Sequence, residues 1–99
     1  MSKTRAERIR DAIRLGLDAS QVVVIDHSAE HAGHPGAATG AGHFEVTVVS
    51  ARFEGLSQVS AQRLVYQAVA ELMATEIHAL SMHTFTPAQW QARGHQGSG

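Results

Sequence analysis

The sequence predicts an α/β (α+β) domain with the order helix–strand–strand–helix–strand–helix, and three observations carry that expectation. Residues 21–26, 43–50 and 77–84 are either β-branched runs or alternate between apolar and polar residues, as strands do. Three other stretches carry N-terminal capping residues and apolar residues at helical spacing. The longest of these lies between the second and third strands, where a helix serves as a crossover and favours a third strand parallel to the second. The first two strands pair antiparallel across the loop between them. The expected product is one three-stranded mixed sheet with helices on one face and the other face partly open.

Each element has its own local cause. Thr4 and Glu7 fit a capping box, and Ala6, Ile9, Ile13 and Leu17 recur at helical spacing, so residues 4–16 read as an amphipathic helix with Gly16 near its stop. Residues 21–26 (QVVVID) are too short for a helix of ordinary length and are rich in valine and isoleucine. In residues 43–50, Phe44, Val46 and Val48 fall on one face and Glu45, Thr47 and Val49 on the other, the pattern of a half-buried strand. A turn at FEGL follows, and Ser57 caps a long helix to about residue 74. Val59, Leu64, Val65, Val69, Leu72 and Met73 supply its apolar face. Residues 77–84 (IHALSMHT) alternate again, which places His78, Leu80 and Met82 on one face. Thr86 followed by Pro87 starts a short last helix bearing Trp90. Residues 1–93 are read as a single domain and residues 94–99 (GHQGSG) as a flexible tail.

Composition narrows the function classes. The chain has 99 residues, a formal net charge of −1 and no cysteine. Near-neutral charge gives no global attraction to nucleic acid or an anionic membrane. Without cysteine, the chain forms neither a disulfide nor a thiolate metal site of its own. No apolar run approaches the ~20 residues that span a bilayer. The start, MSKTRAERIR, lacks an apolar signal region, so the sequence reads as soluble and cytoplasmic. No nucleophile–base motif or phosphate-binding glycine loop is recognisable, and an enzyme is not expected.

Histidine is the unusual component. Four of the seven histidines, His27, His31, His34 and His43, fall within HSAEHAGHPGAATGAGHF at 27–44. Connections this long between strands tend to be functional or disordered. The bland reading is a solvated loop; the sharper one is a source of imidazole ligands, since histidine is the commonest metal ligand. The spacing fits no standard zinc signature. His78 in the third strand is a second candidate, with ordinary packing as the competing explanation.

Three pieces of the chain resemble the BolA family. They are Gly33-His34 followed by eight residues and His43-Phe44, VVSARFEGLS at 48–57, and IHALSMHTFTPAQW at 77–90, with Val65-Tyr66 and Glu71-Leu72-Met73 between the last two. The resemblance spans residues 4–90 and implies a fold similar to a class II KH domain. It also implies a partner: proteins of this family pair with monothiol glutaredoxins carrying a CGFS motif, and the heterodimer bridges a 2Fe–2S cluster shared with glutathione. The family's IHAL histidine corresponds to His78. The second ligand, from the loop, corresponds to His34. His31 is an alternative three residues away, and His43 a further ligand or a residue supporting one. A 2Fe–2S cluster takes four ligands, usually thiolates, and two histidines can replace two of them on one iron. A chain without cysteine therefore suits a cluster whose thiolates come from a partner. Ligation needs neutral imidazole, so binding is expected to weaken as pH falls through about 6.5.

The rival reading is a DNA-binding transcriptional regulator that uses the KH-like fold. Gly33-His34-Pro35-Gly36 spells the GXXG of KH loops, but between strands rather than between helices. Where the family often carries a basic R-H-R triplet, this chain has Ala61-Gln62-Arg63. Lys3, Arg5, Arg8, Arg10 and Arg14 cluster on the first helix, interleaved with Glu7 and Asp11 as on a solvated face. The open sheet face and the last helix with Trp90 are candidate docking surfaces, with Trp90 equally suited to a core. Alone, the chain is expected to be a monomer or weak homodimer.

Overall fold

A computed structural model describes residues 3–27 and 42–97, and the side chains among them up to residue 93. The elements are α1 (Arg5–Leu17), β1 (Gln21–Asp26), β2 (Gly42–Val49), α2 (Gln58–Ala68), α3 (Ala70–Thr75), β3 (Ile77–Phe85) and α4 (Pro87–Gly97), with a short 3-10 turn at Ala51–Phe53. The strand order is β1-β2-β3. β1 pairs antiparallel with β2, and β2 pairs parallel with β3, as expected from a hairpin-like pair followed by a helical crossover. The fold is the predicted α+β type.

Period-two alternation in β2 creates the inside. Phe44, Val46 and Val48 are fully buried and face Ile9, Ile13 and Leu17 of α1 and Ala61 and Val65 of α2. Each such side chain withdrawn from water contributes on the order of 1.5–3 kcal/mol. Val23 and Ile25 of β1 remain exposed on the opposite face of the sheet.

The helix starts follow the capping chemistry. Thr4 and Glu7 form the full capping box: Oγ1 of Thr4 accepts from the Glu7 N–H at 3.1 Å, and Oε1 of Glu7 accepts from the Thr4 N–H at 2.8 Å. Thr86 and Gln89 repeat it at α4, at 3.2 and 2.8 Å. Ser57 caps α2 by accepting from the Ser60 N–H. Buried Ser50 donates to the Leu17 carbonyl at 2.7 Å and accepts from the Arg52 N–H, joining the end of β2 to the end of α1.

Several details add to or depart from the sequence reading. The long middle helix divides at Val69 (φ −110°, ψ 17°), where no Gly or Pro signals a break. Val69 is 1% exposed, so its side chain is held in the core at the break. Val59, placed on the apolar face by spacing, is exposed. Gly16 lies one residue from the end of α1, as expected, but its role is packing: a Cβ there would stand 3.1 Å from the Ala68 Cβ, so glycine permits the close approach of α1 to α2. The left-handed residue that ends the helix is Asp18 (φ 47°), whose N–H donates to the Arg14 carbonyl. Finally, α4 continues to Gly97, into the segment read as a tail.

Glu76, at the start of β3, accepts hydrogen bonds from the guanidinium of Arg8 and lies 4.0 Å from Arg5. The Arg8 bond chiefly holds its carboxyl below the ordinary 4.5.

Two predictions follow from this packing. Ile13→Ala should lower unfolding free energy by about 2–5 kcal/mol at unchanged m-value in urea titration, because the site lies where helix and sheet interlock. A depressed folded-state carboxylate contributes stability that is present above its unfolded pKa and lost as pH falls through the folded one. The thermal midpoint should therefore decline below about pH 4.5, and Glu76→Gln should flatten that decline relative to its own midpoint at pH 7.

Candidate functional site

His78 owes its position to an irregularity in the sheet. Gly42 pairs with Ile77, but the next residue, His43, pairs with Ala79, so His78 is an extra residue bulged out of the β2–β3 ladder. The bulge changes the phase of β3. Ile77 is buried in the core, and Leu80 and Met82 also pack against it. His78 is exposed and does not share the face of Leu80 and Met82. Strict alternation in the sequence predicted a shared face; the inserted residue breaks it.

The bulge lies beside one root of the 28–41 connection. The Gly42 N–H donates to the Glu76 carbonyl at 3.0 Å. At the other root, the His27 N–H donates to the His43 carbonyl at 2.8 Å. His43 is therefore flanked by His27 on β1's side and by Ala79, next to His78, on β3's side. Its ring meets that of His27 edge-on, with centroids 6.3 Å apart. His31 and His34 lie outside the described residues.

A group missed in the sequence sits on the same open face. Glu45 accepts from His27 Nε2 and from His83 Nε2, each at 2.9 Å. These two bonds, that from His27 first, hold the Glu45 carboxyl below the ordinary 4.5. The signal was present in part: Glu45 occupies an outward position of β2, and His27 and His83 lie near the ends of the neighbouring strands. Which of them meet depends on register. Among the described residues, no group of three or more His, Cys, Asp or Glu side chains is arranged to hold a metal ion.

The other candidates are placed as follows. Trp90 is half-buried and packs on Phe85 with centroids 5.4 Å apart, while the Arg93 guanidinium covers the Phe85 ring at 5.2 Å. These contacts dock α4 on β3. A groove at that end is lined by His83, Thr84, Phe85, Gln89 and Arg93 and does not include His78. Around α1, Lys3, which precedes the helix, pairs with Asp11 at 2.6 Å, Arg10 lies 3.7 Å from the same carboxylate, and Arg5 and Arg8 face Glu76. Most of the basic cluster is thus paired within the chain. No helix among the described residues is long and apolar enough to cross a membrane.

The chain is similar to proteins of known families over most of its length. It is 42% identical over 83 residues to BolA-like protein 1 of Bos taurus, covering 84% of this chain and 59% of that protein. It thus spans roughly three-fifths of that relative. It is 34% identical over 85 residues to the DNA-binding transcriptional regulator BolA of Escherichia coli, covering 86% and 78% of the two chains. The structure of BolA1 from Arabidopsis thaliana superposes with a TM-score of 0.75 at 37% identity, covering 89% of this chain and 97% of that one. Residues 13–89 match the family described as BolA-like protein, and the chain belongs to that family.

Proposed function

We propose that this protein is a non-enzymatic adaptor that pairs with a monothiol CGFS glutaredoxin and shares a bridging 2Fe–2S cluster with it and with glutathione. In this reading His78 and His34 are its ligands, with His31 as the alternative for the second and His43 as a further ligand or a residue supporting one. The observation that carries the reading is the β-bulge, which leaves His78 exposed beside the root of the histidine-bearing 28–41 connection.

The donor set suits a shared centre. The chain has no cysteine, and its described residues alone do not assemble a metal site, so further ligands must come from elsewhere. His34 is seven residues from His27 and eight from Gly42. Eight residues of backbone reach at most about 29 Å and Gly42 pairs with Ile77 beside the bulge, so the covalent tether does not keep His34 from it. When bound, the cluster supplies one-electron redox chemistry and a transferable iron–sulfur unit, with histidine ligation raising its potential. The chain's own part is to present neutral imidazole from a firm strand and a second imidazole from the connection. Its cargo is consistent with iron–sulfur trafficking or iron-linked regulation in the cytoplasm.

The second reading, direct DNA binding, draws on the name of the Escherichia coli relative. The pairing of Arg5, Arg8, Arg10 and Lys3 within the chain weakens it, because phosphate contact requires free cationic side chains.

Reconstituting the protein with a CGFS glutaredoxin, iron, sulfide and glutathione tests the proposal by visible absorption and circular dichroism. His78→Ala should abolish the histidine-type spectrum, and His34→Ala should weaken or alter it. Unchanged spectra in both variants overturn the assignment. In gel-shift titrations at pH 7 and pH 6, tight, sequence-selective binding near physiological salt would favour the DNA reading instead.

A further inference from the structure

The open sheet face carries a carboxylate that the cluster reading does not use. Glu45 lies on the central strand, opposite Ile25 of β1 and Ser81 of β3. Its two oxygens each face a different ring: Oε1 is 2.9 Å from His27 Nε2, and Oε2 is 2.9 Å from His83 Nε2. The Glu45 side chain is 34% exposed, and those of His27 and His83 are 32% and 53% exposed, so the bridge lies at the protein surface. It nevertheless links β2 to β3 and to the residue that follows β1.

The chemistry of this bridge is one-sided. An ionised carboxylate has acceptor oxygens and no hydrogen to donate. Both contacts are therefore Nε2–H groups donated by the rings, whether each ring is neutral or protonated. A neutral ring so engaged keeps its lone pair on Nδ1, because hydrogen bonding by one nitrogen decides the state of the other. A carboxylate of ordinary acidity is ionised at neutral pH, so the acceptor carries charge. His78 on its bulge has no such carboxylate partner among the described residues.

We propose that Glu45 is a positioning residue that holds His27 and His83 as Nε2–H donors and thereby withholds both Nε2 atoms from metal ligation on this face. Its bearing on cluster chemistry rests on the reading of His78 as a ligand: on this face the Nε2 atoms of His27 and His83 are committed to Glu45, and a neutral ring there has only Nδ1 to offer a metal. The same bond fixes the ring of His27, the last described residue before the 28–41 connection, against the ring of His43.

Long-range proton–nitrogen correlation spectra of the histidine rings in the isolated protein at pH 8 test this directly. In the wild type, both His27 and His83 should show a protonated Nε2, and one equivalent of Zn²⁺ should leave both signals in place. Glu45→Ala removes the acceptor and leaves the two Nε2 atoms facing the vacated space. Both rings should then lose the single-tautomer signature, and Zn²⁺ should shift at least one Nε2 resonance to that of a ligating nitrogen. Glu45→Gln offers one acceptor oxygen and should preserve the signature of one ring only. Unchanged core methyl signals establish that the variants remain folded. An unprotonated Nε2 in either wild-type ring, loss of either signal on adding Zn²⁺ to the wild type, or ring spectra in Glu45→Ala indifferent to the substitution and to Zn²⁺ would overturn the proposal. No glutaredoxin or cluster enters these measurements, so a failed reconstitution and a failed tautomer assignment are separate results.

Discussion

The two-residue period of β2 is the constraint on which the rest depends. As the central strand, β2 has a partner on each side, so its register fixes both neighbours. Phe44, Val46 and Val48 supply the inner face, and a slip of one residue would turn them to water while bringing His43, Glu45 and Thr47 inside. Burying the Glu45 carboxylate and the His43 ring would be costly enough to forbid the alternative. The hydrophobic pattern thereby also decides which side chains meet on the outside. The Glu45 bridge is a by-product of a register chosen by the core.

The bulge at His78 works against that regularity at one point. Three positions apart, Ile77 and Leu80 would lie on opposite faces of a regular strand; the bulge lets both reach the core. The irregular residue is the one the family resemblance singles out. Its backbone is firmly held even so. Immediately before it, Glu76 joins β3 to α1 through the Arg8 side chain and to β2 through the Gly42 N–H. Rigid support below an exposed imidazole is what a ligand presented to a partner requires.

Much of the fold was legible because its causes are local. The capping pairs at Thr4 and Thr86, the β-branched run 21–26 and the alternation in β2 each act over a few residues, and the element order and strand directions follow from them. The break at Val69, the exposure of Val59 and the role of Gly16 were not legible, because each is set by what a neighbouring element leaves room for. The candidate site divides the same way. His78 was visible as a strand histidine and as part of a family motif, but its outward placement depends on a pairing irregularity between residues 35 or more positions apart. Glu45 meets partners 18 and 38 residues away, a relation that no spacing rule contains.

The approach of Gly16 to Ala68 has a consequence for how freely this surface can change. Where a single missing methyl group lets two helices touch, the sizes of both residues are tied, and neither can grow unless the other shrinks or the helices part. One residue earlier, Leu15 is 85% exposed and meets no such restriction. The outer side of α1 is thus open to redesign or drift, while its distance from α2 is pinned by the smallest side chains in the chain.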